Sequence, residues 1–400
     1  MKRILHILAQ KPGNTGSGVF LNTLINEAVK KDYEQAVIAG ISSQDSSYDF
    51  REDINFFPVI FETEHLPFPV VGMSNEMPYE STKYSELTDE MMRQWNSEFN
   101  DAILQAVQEF KPDIILSHHL WLLTSIVVEL VPKIPVYAFC HSTGLRQMDM
   151  VPGFRDFIVN RIKNVKKVFS LTEFQKQKII SKYHLSKDKI TVTGAGFNSE
   201  MFYRAQNQQH DDVRIVYCGK LSFAKGVLSL INAFESGVFD AALTLVGNGR
   251  GQEKEDILKR ASKSKKKITF KGSVSQEVLG EIFRESDIFV LSSFYEGLPL
   301  VVIEALACGL RVVVTDIPGL KDWVGKDINN SGMIEYVKLP KLINTDIPKP
   351  EEVPIFESRL KSAIETQIIS LKTSGQKDIQ KYLRDKTWTE VFEKIERELS

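Results

Sequence analysis

Two carboxylates, Glu296 and Glu304, stand in the run FYEGLPLVVIEALACGLRVVV at positions 294–314. Between them Gly297, Leu298 and Pro299 make a tight turn, and a helical stretch starts at about Leu300. A helix beginning there turns its first free backbone N–H groups and the positive end of its dipole toward the turn, a ready anion site. Glu296 sits in the loop and Glu304 just over one turn into the helix, so both can meet one ligand. Alone, Glu304 would read as a solvated helix residue. Its neighbours, VVIEALACG, are apolar, and a charge on an otherwise buried helix needs a partner. Lys220 and Lys225 straddle a turn after an apolar strand, with Gly226 opening the next helix. Either lysine alone reads as a surface charge; as a pair at a post-strand turn they concentrate positive charge where an anion could bind.

These residues must be carried to one place. Short apolar runs of strand length alternate with segments of helical period, the pattern of β-α-β units with parallel sheets buried on both faces. The fold class is therefore α/β. Strands are expected at Ile4–Leu8, Ala36–Ala39, Phe56–Phe61, Ile114–Ser117, Val136–Phe139, Val168–Leu171 and Ile190–Val192. The rhythm restarts at Arg214–Cys218, Leu243–Val246, Ile268–Phe270, Ile288–Leu291 and Val312–Thr315. Two such sets predict two Rossmann-like domains, 1–197 and 198–381, facing each other across a cleft, with ligands beyond the carboxyl ends of the strands. The final segment, 382–400, either completes the second domain or packs back on the first. Residues 62–88 are long for a connection and read either as a mobile substrate-facing loop or as a surface insertion.

Composition narrows the classes. A net charge of -2 argues against a nucleic-acid partner, and no run approaches a membrane span. The basic stretch Arg155–Lys189 is a solvated helix face or a peripheral membrane contact. The start, MKRILHILAQ, lacks a cleavage site and reads as a strand rather than a signal peptide. Cys140, Cys218 and Cys308 lie far apart, supporting neither disulfides nor zinc, so a reducing cytoplasmic setting is expected. Asp211–Asp212 makes no D-x-D motif. The loop Gly13–Gly18 (GNTGSG) is a poor dinucleotide fingerprint, because no third glycine completes it and no ribose-binding acid follows the second strand.

The run E-G-L-P-L-V-V-I-E-A-L-A-C-G resembles the E-x7-E signature of the family-4 retaining glycosyltransferases (glycosyl transferases group 1), which have the GT-B fold. Four further matches occur in order: Gly16-Ser17-Gly18 after the first strand, His141 after a middle strand, G-K-L-x-x-x-K-G at Gly219–Gly226, and V-G-N-G at Val246–Gly249. The resemblance spans nearly the whole chain and is strongest from Arg214 to Asp316. It implies transfer of a sugar from a nucleotide-diphosphate donor, with UDP expected because it is common in the family. Lys220 and Lys225 would grip the diphosphate, Glu304 the ribose hydroxyls, and Glu296 would lie near the transferred sugar. Gly16, Ser17, Gly18, Gly219, Gly247, Asn248, Gly297, Leu298 and Pro299 would line the donor. His141 would contact the transferred sugar, with Arg146 and Gln147 extending that site. His118 and His119 would help bind the acceptor or serve as structural histidines. No metal and no cofactor beyond the donor are implied. The family more often carries Arg at the position of Lys220, which keeps the charge but lacks the bidentate fork. A phosphorylase, a nucleotide-sugar epimerase and a catalytically silent sugar-nucleotide-binding subunit are the rival readings.

Overall fold

A computed structural model describes residues 2–13, 15–45, 50–51, 53–74, 77–205 and 212–399; Asp211 lies outside them. The chain divides into two compact units, Met1–Gly194 with Val391–Ser400, and Ala195–Glu390.

In the first unit the strands are β1 (Arg3–Leu8), β2 (Glu34–Ser42), β3 (Asn55–Phe61), β4 (Val71–Gly72), β5 (Thr82–Lys83), β6 (Ile114–His118), β7 (Val136–Cys140), β8 (Lys167–Ser170) and β9 (Ile190–Val192). Seven form one parallel sheet in the order β3-β2-β1-β6-β7-β8-β9. Successive side chains alternate between the two faces, and both faces are apolar. Leu5, Ile7, Ala36 and Ile38 join one core, while Leu8, Val37 and Ala39 pack with Leu21 and Ile25 of helix Gly16–Val29 in another. Within residues 62–88 the described part contributes to the core. Leu66, Phe68, Val70, Val71, Met73 and Tyr84 are buried in the unit's core, and β4 pairs with β5. The prolines and polar residues between them concealed that apolar spacing.

The second unit contains β10 (Val213–Cys218), β11 (Ala241–Val246), β12 (Ile268–Gly272), β13 (Ile288–Leu291), β14 (Arg311–Thr315) and β15 (Ile334–Val337). Their order, β12-β11-β10-β13-β14-β15, is the doubly wound arrangement whose strand sequence reverses between β10 and β13. Every strand expected from the sequence is present. β15 was not expected, because Glu335 and Tyr336 interrupt its apolar run and only its two ends are buried.

The last helix, Trp388–Glu396, resolves the alternative left by the sequence: from Val391 onward the chain belongs to the first unit. Tyr33 donates to Glu396 (3.0 Å), Thr191 donates to Glu398 (2.9 Å), Lys167 pairs with Glu398, and Lys2 donates to the carbonyl of Leu399 (2.6 Å). Val391, Phe392 and Ile395 are almost completely buried. Among the described residues no helix is long and apolar enough to cross a membrane. Replacing Phe392, which packs edge-on against Tyr33, by alanine should destabilise the first unit by about 3–5 kcal/mol in urea unfolding.

Candidate active site

The reversal in strand order brings three loops of the second unit side by side. β10 leads into Gly219–Lys225, β11 into Gly247–Gly249 and β13 into Ser292–Pro299, and β10 pairs with both other strands. The loops are stitched together by backbone. Gly219 N–H donates to Val246 O (3.0 Å), Leu221 N–H to Asn248 O (2.8 Å) and Phe294 N–H to Ala224 O (3.0 Å). Two glycines make the close approach possible. Gly247 has φ +123°, and a β-carbon there would lie 2.0 Å from the Gly219 oxygen; at Gly226, φ +62°, it would lie 2.1 Å from that of Ser292. The hydroxyl of buried Ser292 donates to the carbonyls of Lys225 and Gly226 (3.1 and 2.9 Å).

That stitching sets the charges. The ammonium of Lys225 lies 2.7 Å from Glu296 Oε1, with both side chains about three-quarters buried or more, and also donates to the carbonyl of Tyr295 (3.4 Å). Lys220 is exposed on the same turn, its carbonyl accepting from Tyr217 Oη (2.9 Å). Asn248 is exposed and accepts from Gly249 N–H (3.0 Å). Gly297 and Leu298 lead to Pro299 at the N-cap of helix Leu300–Ala307, and no side chain caps that end. Glu304 on this helix is only 5% exposed, and burial pushes its carboxyl from 4.5 up to about 8. Burial, reinforced by the carboxyl of Glu304, likewise pushes the neighbouring Cys218 thiol up to about 12. A carboxyl so placed is held neutral near pH 7, and a hydrogen bond donated to it would favour its charged form.

In the first unit, the Gly-rich turn follows β1 and opens helix Gly16–Val29. Thr15 caps the helix by accepting from Gly18 N–H (3.1 Å), and Gln10 donates to both Thr15 Oγ1 and Ser17 Oγ (2.9 Å each). His118 and His119 follow at the end of β6 and His141 at the end of β7. The rings of His118 and His141 stack nearly parallel, 5.8 Å apart, with His119 edge-on to His141 at 5.2 Å. Burial drives all three well below the usual imidazole range, His141 to about 3. His119 (φ +81°) and Ser142 (φ +53°) adopt the left-handed backbone that non-glycine residues seldom accept, strain of the kind found at functional strand ends. Arg146 and Gln147 lie on helix Thr143–Met150, and Gln147 donates to the carbonyl of Met73 (3.0 Å). Among the described residues no three His, Cys, Asp or Glu side chains gather as a metal site. In the stretch 155–189, Arg161 pairs with Glu129 and Lys182 with Asp149.

Residues 15–200 match the profile described as Glycosyltransferase Family 4, and residues 199–367 that described as Glycosyl transferases group 1. The chain belongs to the family-4 glycosyltransferases. It is 27% identical to an uncharacterized glycosyltransferase of Methanocaldococcus jannaschii over 190 residues, 44% of this chain and 48% of the relative. The match thus spans about half the length of that relative. Among solved structures it resembles the sucrose-phosphate synthase of Thermosynechococcus elongatus, with TM-score 0.73 and 15% identity over 99% of this chain and 98% of the other. It also resembles Anabaena HepE in complex with UDP and glucose, with TM-score 0.68 and 13% identity over 99% and 98%. These likenesses establish the GT-B fold, built of two Rossmann-like domains.

Several residues of this glycosyltransferase that shape the loops carry no signal of their own. Ser292, Tyr217 and Gln10 act through backbone or neighbours. Their one legible cue is position at or just past a strand's carboxyl end, where Ser292-Ser293 and Gln10 interrupt apolar runs.

Two outcomes follow. Gly226→Ala should cost at least about 2 kcal/mol in denaturant unfolding, against about 1 kcal/mol for Gly251→Ala, where φ is also positive but the space is open. The folded pKa of Glu304 exceeds its unfolded value, so the stability its neutral form contributes is complete below about pH 4.5 and is lost as pH rises through about 8. Glu304→Gln should therefore gain melting temperature relative to the parent between about pH 5 and pH 9, and a flat difference across that range would contradict the assignment.

Proposed function

We propose that this chain transfers a sugar from a nucleoside diphosphate donor, UDP-sugar first among candidates, to an acceptor hydroxyl with retention of anomeric configuration. The observation that carries the reading is the Lys225–Glu296 pair, 2.7 Å apart beside the uncapped start of helix Leu300–Ala307. The Lys225 ammonium and the amides that open the helix would supply positive charge where a diphosphate develops charge on departure. Groups fixed in place stabilise such charge more in the transition state than in the ground state. Lys220, exposed on the same turn, adds a second cation to the phosphates. Glu296 orients Lys225 and accepts from hydroxyls of the transferred sugar. Glu304 accepts from the ribose hydroxyls, and Gly219, Gly247 and Asn248 let backbone come close to the nucleotide. Gly16, Ser17, Gly18 and His141 are assigned to the donor, and His119, Arg146 and Gln147 to the acceptor side.

In this reading the bond between the anomeric carbon and the diphosphate oxygen breaks, and its electron pair leaves with the diphosphate. The acceptor oxygen bonds to the same face of the anomeric carbon. The acceptor's proton passes to a departing phosphate oxygen, so no side-chain base is obligatory. With lysines and amides supplying the positive charge, no divalent cation or other cofactor is called for, and the donor is a co-substrate. A cytoplasmic location agrees with such donors and with free cysteines.

Thermal-shift screening against UDP, GDP and ADP should reveal stabilisation by one nucleotide, since binding only to the native state raises apparent stability. With the matching sugar donor, Lys225→Ala should lose about 10²–10³-fold in kcat while keeping its melting temperature within a few degrees. Turnover near that of the parent would remove Lys225 from the mechanism. NMR of the first-formed product reports the anomer, inversion being the result that defeats retention, and activity surviving EDTA is the outcome expected for a metal-free site.

A further inference from the structure

A line of hydrogen bonds crosses three adjacent strands of the first unit. Gln35 on β2 donates through Nε2 to the carbonyl of Ile25 (3.0 Å), which fixes its amide with Oε1 turned toward His6 on β1. His6 Nε2 stands 3.0 Å from that oxygen, so this nitrogen carries the proton and Nδ1 is left as an acceptor. His118 Nε2, at the end of β6, lies 3.5 Å from His6 Nδ1 and must donate to it. In a neutral His118 ring the remaining nitrogen, Nδ1, then holds a bare lone pair, and it has no hydrogen-bond partner among the described residues. Gln35, His6 and His118 are at most 2% exposed, and burial keeps both rings neutral, His6 down at about 4. The orphan acceptor belongs to a ring stacked nearly parallel on His141, whose own Nε2 is likewise unpartnered.

We propose that Gln35 and His6 are positioning residues that lock His118 in its Nε2–H tautomer, so that Nδ1 accepts a hydrogen bond from a hydroxyl of the transferred sugar. The inference rests on the glycosyltransferase reading for the identity of the hydroxyl, whereas the tautomer follows from the protein alone. The ring packs against Phe139 (5.1 Å) and Phe20 (6.2 Å), yet a buried acceptor without a donor is uncommon in folded proteins, and this one stands at a strand end, where ligands of such sheets bind.

The test uses the full chain with ¹⁵N-labelled histidine, assigned through single variants. In the free protein near pH 7.5, His6 and His118 should both show the Nε2–H pattern, and Gln35→Leu should mix or invert the tautomer of His118. The sugar donor that most raises the melting temperature in a panel of UDP-glucose, UDP-N-acetylglucosamine and GDP-mannose should shift His118 Nδ1, and its nucleoside diphosphate alone should not. Asparagine places an acceptor where Nδ1 stands, so His118→Asn should keep kcat within a few-fold while His118→Phe loses about tenfold or more, the worth of one hydrogen bond. An Nδ1–H tautomer at His118 in the parent, a tautomer indifferent to Gln35→Leu, or equal turnover for the two His118 variants would overturn the proposal. If Gln35→Leu fails to fold, the parent spectrum and the His118 pair still decide. Absence of stabilisation by every nucleotide would instead strike the glycosyltransferase reading and leave the tautomer measurement standing.

Discussion

β10 pairs with β11 on one side and β13 on the other, and the chemistry of the second unit depends on that adjacency. Parallel neighbours end at the same level, so whatever follows them in sequence is forced together. Lys225 and Glu296, 71 positions apart (296 − 225), meet at 2.7 Å for this reason. Their approach requires the backbone of Gly226 to pass where any β-carbon would strike the carbonyl of Ser292. Fold and charge placement are thus one problem, solved at a strand boundary.

The two carboxyls of the site have unlike surroundings. Glu296 has the ammonium of Lys225 at contact distance and partial access to water. Glu304 is buried, and burial holds it neutral. Placing two unlike carboxyls within one loop and one helical turn lets a single ligand meet an anchored ion pair and a group whose protonation responds to binding. In the first unit desolvation does the comparable work. Histidines that would titrate near neutrality in water are held as neutral rings, so their hydrogen-bonding roles are set by tautomer rather than by charge.

Much of this was legible in the residues. Uninterrupted apolar runs marked the strands buried on both faces, and the punctuation after each run (Gly219, Gly247, Gly297, His141) marked the strand ends where ligands bind. Strands with mixed faces were harder to read: Glu335 and Tyr336 hid β15, and prolines hid the core residues Leu66 to Met73. Spacing could not reveal that Ser292 holds the lysine turn by its carbonyls, because the partners are backbone atoms that every residue possesses. The Gln35–His6–His118 line was equally hidden, since it joins three strands separated in sequence and consists of residue types that also occur as ordinary core polars.

The return of the last helix has a consequence for biosynthesis. The first unit has its sheet complete by Gly194, yet Val391, Phe392 and Ile395, which close its surface, leave the ribosome about 200 residues later. At translation rates of about 5–20 residues per second, that interval is on the order of 10–40 s. Throughout it the nascent amino-terminal sheet carries an uncovered apolar strip beside Tyr33, Lys167 and Thr191, whose polar groups also lack their final partners. The first unit is therefore finished only after the second has been synthesised.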